Sequence, residues 1–324
     1  MTLPRLAALA ALVLITVVPR GAAWAEDYPS RPVHIIVPFG GGGPADVFGR
    51  VLAQHISDSL KASFVVENRP GAGSIIGTDA VAKSPPDGYT LLLMSNTHTT
   101  NESLIPNKPY QLMRDFVPVS PINYSDLIMV IHPSVPARTL PEFIALAKSK
   151  PGQLNYASSG PGTPYHMAGE LFKAMTGTDI VHVPHKASGE ARNSVLGGHV
   201  QMMFDAITTM ASNVRAGQVI ALGTSGKRRS TVMPEVPTID EAGVPGYEAT
   251  IWIGLMAPAG TPKPIIDTLN GEIRKVLERA DVKEAWAQQG AVPMLMTPEE
   301  FGAYLRADID KWARVVKLSG ATAQ

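Results

Sequence analysis

Residues 34–46 read His34-Ile35-Ile36-Val37-Pro38-Phe39-Gly40-Gly41-Gly42-Gly43-Pro44-Ala45-Asp46. The first four form a short apolar, β-branched run and read as a strand. From residue 45 to residue 60 the period changes to that of a helix, with Val47, Val51, Leu52, His55, Ile56 and Leu60 on one face. Pro44 or Ala45 falls at the first helical position, where a missing N–H costs nothing. The stretch is therefore a strand, a glycine loop and a helix start. Four glycines let backbone N–H groups approach a ligand with no Cβ in the way. The helix start adds unpaired donors and the positive end of a dipole. Together they describe an anion site; a plain tight turn is the alternative. Asp46 serves either as an N-terminal charge for its own helix or as an acceptor for a ligand hydroxyl or amine.

The same alternation continues along the chain. Strands are predicted at 64–66, 90–94, 155–157, 180–183, 200–204 and 219–223, with a helix at 75–83. Strands alternating with helices mean parallel sheets and an α/β fold. Ser158-Ser159-Gly160-Pro161-Gly162-Thr163-Pro164-Tyr165-His166 repeats the strand, loop and helix-start pattern. Two such loops predict two lobes, each presenting a helix N-terminus to a shared cleft at the carboxyl ends of its strands. That suits a dianion, or a carboxylate with a second polar end. Near the C-terminus, Ile265, Ile266, Leu269, Ile273, Val276 and Leu277 keep a helical period. Thr297-Pro298-Glu299-Glu300 is a capping box opening a further helix with Phe301, Tyr304, Leu305, Ile309, Trp312 and Val316 on one face.

Composition narrows the function. The 324 residues allow two lobes, and 28 basic against 28 acidic residues leave no basic footprint for nucleic acid or anionic lipid. There is no cysteine, hence no disulfide, thiolate metal site, Cys nucleophile or lipid-modified N-terminus. Residues 1–25 read as a secretory signal: Arg5, an apolar run over 6–18 too short to span a bilayer, then Ala23-Trp24-Ala25. The expected cut follows Ala25.

Three enzymatic or metal readings compete. Gly40, Gly42 and Ala45, with Glu67 after the next strand, loosely match a dinucleotide fingerprint. An exported protein has little use for that cofactor. Ser158 or Ser159 with His166 and Asp205 has the residue types of a hydrolase, but no Gly-x-Ser-x-Gly elbow is present. His182 and His185 with His166 have loose zinc spacing and no completing carboxylate. Lys186 is either a cleft cation or a solvated lysine. Met202-Met203-Phe204 reads as a buried strand that ends at Asp205, on the cleft edge.

Longer segments carry a resemblance. They are Tyr28-Pro29-Ser30-Arg31-Pro32 with the PFGGGGPAD loop, ENRPGAGSIIGTDAVAKSPPDGYTLL (67–92), NYASSGPGTPYHMAGELF (155–172), HVPHKASGEARNSVLGGHVQMMFD (182–205) and PEVPTIDEAGVPGYEATIWIGLMAPAGTP (234–262). Together they resemble the substrate-binding proteins of tripartite tricarboxylate transporters, the Bug or TctC family of periplasmic receptors. The resemblance implies a type II periplasmic binding protein fold, with one lobe at 26–123 plus 252–324 and the other at 124–251. It implies a periplasmic, monomeric receptor for a small carboxylate that docks on membrane permease subunits, with no catalysis, cofactor or metal; a solute sensor would use the same cleft. Carried over by position, the contacts are Phe39, Gly40, Gly41, Gly42, Gly43 and Asp46, then Ser95 and Asn96. Ser158, Gly160, Thr163 and His166 face them, with Lys186, Ala187 and Asp205 nearby. The chain departs from the family pattern at His185, where Tyr is common, at Ala187, where Gly is, and at Glu190, where Pro is. His185 and Ala187 border the cleft, and a histidine donor there favours an anionic or aromatic-carboxylate ligand.

Overall fold

The computed structural model describes residues 28–323. The signal segment and its cut after Ala25 lie outside the described residues. The first sheet is built from β1 (Val33–Val37), β2 (Phe64–Asn68) and β3 (Thr90–Ser95), paired in parallel around β1. α1 (Pro44–Leu60), α2 (Ile75–Ala82) and α3 (Asn96–Leu104) follow those strands in turn. A short helix α4 (Leu112–Asp115) leads into the sixteen-residue β4 (Phe116–Ile131).

The second sheet holds β5 (Leu154–Ser158), β6 (Ile180–Pro184), β7 (Met202–Ala206) and β8 (Ile220–Thr224). Its helices are α5 (Leu140–Ser149), α6 (Pro164–Thr176), α7 (Ser188–Leu196) and α8 (Ile207–Arg215). The chain then returns through β9 (Thr250–Pro258), α9 (Lys263–Glu278), α10 (Ala280–Gln288), β10 (Ala291–Pro293) and α11 (Pro298–Ser319).

β4 joins the two halves. Its stretch from Phe116 to Asp126 pairs antiparallel with β9, and its last five residues pair with β7 and β8. The continuous strand order is β2-β1-β3-β9-β4-β7-β5-β6. The expected lobe limits at 123/124 and 251/252 fall inside β4 and β9, so both strands run through them. The sequence pattern does not mark β4 as a strand. Pro118 and Pro121 lack the N–H a ladder needs, and the pairing with β9 slips in register just after each.

Each half has a core on both faces of its sheet. Val33, Ile35 and Val37 pack with Phe48, Leu52 and Ile56 of α1 and with Leu269 and Ile273 of α9. The opposite face sets Ile36, Leu92 and Met94 against Phe301 and Leu305 of α11. The same helix carries Trp312 and Val315 into the core of the second half, beside Phe172, Phe204 and Tyr247. α11 therefore belongs to both cores. Its predicted capping box is formed: Glu300 N–H donates to Thr297 Oγ1 (3.2 Å) and Thr297 N–H to Glu300 Oε2 (2.8 Å).

α3 is polar yet buried, from Asn96 through Asn101. Its side chains are held by neighbours rather than by apolar packing. Thr99 Oγ1 donates to Asp308 of α11 (2.6 Å), which also accepts from Trp252 Nε1 (3.2 Å). Asn96 Nδ2 donates to Thr250 O (2.8 Å).

Gly254 lies where β9, β4 and α11 meet, and an added Cβ there would overlap the Phe301 ring. Gly254→Ala should lower stability by about 1–3 kcal/mol, the usual cost of overpacking. A second change, Phe301→Leu, should recover part of that loss; denaturant melts of the three proteins check it.

Candidate functional site

In a strand-to-helix unit the helix begins near the carboxyl end of the strand. Here that geometry is repeated around one space. Gly43, Ser74, Ser95, Thr163 and Ala187 are the N-caps of α1, α2, α3, α6 and α7. All five line one cavity of about 660 Å³. The first N–H groups of a helix have no partner within it, and each end carries about half a positive charge. Five such ends around one cavity make it a place for an anion.

The first loop is shaped by its own helix. Gly42 takes φ +78°, a conformation that favours glycine. Its N–H donates to Asp46 Oδ2 (2.9 Å), while Arg50 Nε donates to Asp46 Oδ1 (2.9 Å). Burial raises the Asp46 pKa, but the Gly42 N–H and Arg50 outweigh it and hold the carboxyl below its ordinary range. Asp46 thus folds the loop back onto α1 and does not line the cavity.

A third loop, Pro70-Gly71-Ala72-Gly73-Ser74, forms another wall. Its last four residues all have positive φ, including Ala72 (+47°) and Ser74 (+77°). Asn101 Nδ2 holds it by donating to Gly73 O (2.9 Å).

Across the cavity, Thr163 Oγ1 donates to Gly160 O (2.7 Å), and Gly160 N–H donates to Ser158 Oγ (3.1 Å). Ser158 Oγ shares a 2.6 Å hydrogen bond with His182 Nε2. Gly162 N–H donates to His166 Nδ1 (3.0 Å), which leaves the ring proton on Nε2. The His166 and His182 rings stack at 4.1 Å, with Tyr156 against His182 at 4.9 Å. Desolvation, with Lys173 as a lesser cause, pushes His166 down to about 4. Desolvation and then His166 push His182 down to about 3. Both are neutral buttresses behind the loop. Asp205 is fully buried, accepting from Arg192 Nε (2.6 Å) and Ala206 N–H (2.8 Å).

The hydrolase reading is therefore not assembled. Ser158 pairs with His182, His166 with a backbone N–H, and Asp205 with Arg192. Among the described residues there is no cluster of three or more metal-ligating side chains. The loops of the two halves also lie close to one another. A Cβ on Gly40 would stand 3.6 Å from Ala187 Cβ, one on Gly43 3.5 Å from Ser188 Oγ, and one on Gly73 3.8 Å from Pro161 O. The two halves meet over the cavity.

Residues 48–321 match the family model described as the tripartite tricarboxylate transporter family receptor. The chain belongs to this receptor family. It is 40% identical to protein BugT of Bordetella pertussis (strain Tohama I) over 323 residues, 99% of each chain. The structure of Rpa4515 of R. palustris with adipate superposes with a TM-score of 0.88 at 33% identity, covering 91% of this chain and 99% of that one. MatC of Rhodopseudomonas palustris with bound malate gives 0.84 at 31% identity, covering 89% and 100%. The fold is thus the two-lobed α/β fold of the periplasmic binding proteins.

Against that fold the expected contacts divide. Phe39, Gly40, Gly43 and Ser95 line the receptor's cavity from one lobe, and Gly160, Thr163, Lys186 and Ala187 from the other. Gly41, Gly42, Asp46 and Asn96 lie off it, as do Ser158, His166 and Asp205. Of these, Asp46, Ser158 and His166 accept from loop N–H groups, while Asn96 bonds Thr250 of β9 and Asp205 bonds Arg192 of α7. Sequence reasoning missed the third loop, although its Pro-Gly-Ala-Gly run before a helix carries the same signal as the first. It also missed Ile251 and Ile253 on β9, and Thr97. Thr97 is fully buried, lines the cavity, and its hydroxyl finds no hydrogen-bond partner among the described residues.

The stacked histidines set a pH signature. Their folded pKa values lie below the ordinary 6.5, so the stability they contribute is present above pH about 6.5 and is lost as pH falls toward 4 and below. Replacing one, as in His182→Gln, should make the melting temperature fall less steeply between pH 7 and pH 4 than in the wild type. Melting curves across that range check the sign.

Proposed function

We propose that the chain is an exported receptor that closes two lobes around a small carboxylate and hands it to a membrane permease. The observation that carries this is the convergence of five helix N-termini on one cavity. A carboxylate accepts from backbone N–H groups and is favoured by the positive ends of the helices. The adipate and malate in the two structural relatives are ligands of the same chemical kind. On this reading the ligand contacts are Phe39, Gly40, Gly43, Ser95, Gly160 and Thr163, to which we add Thr97.

Closure follows from where the contacts sit. One set belongs to the β1, β2 and β3 side and the other to the β5 and β6 side, so a ligand between them bridges both. It favours the closed form by the contacts it makes only there. β4 and β9 would act as the hinge, near the 123/124 and 251/252 limits. The job requires no bond-making and no proton transfer. Release to a permease, and export after cleavage behind Ala25, complete the proposal. Among the described residues no helix is long and apolar enough to cross a membrane.

A thermal-shift screen against mono-, di- and tricarboxylates, aromatic acids and amino acids tests the reading. A ligand that binds only the folded state stabilises it by about 2.7 kcal/mol at a hundredfold excess over Kd. At least one carboxylate should raise the melting temperature, and a screen with no shift from any acid contradicts the proposal. Thr97→Val should weaken that ligand about tenfold or more, since a hydrogen bond to a charge is worth about 1.5–3 kcal/mol. Calorimetric titration reads the change.

A further inference from the structure

We propose that the cavity takes a carboxylate without an amino group, carried on a largely apolar body, and turns amino acids away. This rests on the carboxylate-receptor reading and narrows it. The first support is the charge of the lining. Among the described residues, none that lines the cavity is Asp or Glu, and the single formally charged side chain there is Lys186, which is exposed. An ammonium group entering this space leaves water and meets five positive helix ends, with no carboxylate to pair with.

The carboxylates just outside the lining are already engaged. Asp46 accepts from the Gly42 N–H and Arg50, and Asp205 is fully buried against Arg192. Glu190 accepts from the Lys186 N–H (3.2 Å) in an exposed turn. The other acceptors an ammonium can use are uncharged: the hydroxyls of Thr97, Ser159 and Ser188, the His185 ring and the loop carbonyl oxygens. On three of the loops a carbonyl already accepts: Phe39 O from Asn68 (3.2 Å), Gly73 O from Asn101 (2.9 Å) and Gly160 O from Thr163 (2.7 Å).

The second support is the nature of the walls between the helix ends. Pro38, Pro44, Pro70, Pro161 and Pro164 all line the cavity, and proline has no N–H to offer a ligand. Ile251 and Ile253 add branched aliphatic surface, and Phe39 adds a ring. Most side-chain hydroxyls of the lining sit at the helix starts, with Ser159, His185 and Lys186 on the loops, and the walls between them are largely apolar. Such a surface matches a ligand with one anionic end and a hydrocarbon or aromatic remainder.

Calorimetric titration of the receptor with two matched pairs tests this. The pairs are hexanoate with 6-aminohexanoate, and 3-phenylpropanoate with phenylalanine. Each second member adds only an amine, far from the carboxylate in one pair and beside it in the other. The proposal expects the amine-bearing member to bind at least about tenfold more weakly in any pair whose parent acid binds. Binding of the amine-bearing member within about threefold of its parent, or tighter, overturns it while leaving the receptor reading in place. Failure of both parent acids to bind a receptor whose melting temperature another carboxylate raises overturns this inference and leaves the receptor reading in place; no response to any carboxylate overturns both.

Discussion

A helix cannot satisfy its own first N–H groups, and in this molecule five helices bring that deficit to one place. Positive ends gathered around a cavity oppose one another until an anion sits among them. The surrounding structure tempers this with local acceptors. Asp46 caps the Gly42 N–H, and Ser95 and Thr163 accept from N–H groups in the first turns of α3 and α6. What remains is a cavity with helix ends and apolar walls, a division that on the proposed reading would choose ligand chemistry by its field rather than by a dedicated arginine or lysine.

Bringing the helix ends together requires two sheets that face each other yet remain one covalent frame. β4 and β9 provide it, since β4 pairs with strands of both sheets. α11 reinforces the frame by placing Phe301 and Leu305 in one core and Trp312 and Val315 in the other. The Asp308 carboxyl, with Thr99 and Trp252 donating to it, ties α11 to the helix that carries the unpartnered Thr97 hydroxyl. Desolvation raises the Asp308 pKa, with Thr99 as the main opposing influence. β9, which pairs with β4 between the two halves, also gives Ile251 and Ile253 to the cavity.

Much of this was legible in the sequence. The run from His34 to Asp46 named a strand, a loop and a helix start, and the structure places β1 and α1 there. The loop after Ser158 did the same for β5 and α6, and the box at Thr297 marked the start of α11. What stayed hidden was where polar side chains point. Asp46 and His166 sit beside the right loops but turn toward loop N–H groups, because a loop of glycines needs side chains behind it to fix its shape, and Asp205 turns to Arg192 of α7. Sequence spacing does not separate a residue that meets the ligand from one that holds the loop. β4 was obscured by Pro118 and Pro121, which break the alternation expected of a strand. α3 was obscured because its buried residues are polar, several of them held by distant partners, so no apolar period marks them.

The central claim is that the helix ends, rather than a charged side chain, hold the ligand. A crystal structure of the receptor with the carboxylate that most raises its melting temperature tests this directly. The account predicts carboxylate oxygens about 3 Å from first-turn N–H groups such as those of Ala45 and Tyr165, or from waters bound to them. A carboxylate paired with Lys186 at the rim, with the helix ends facing solvent, would contradict it.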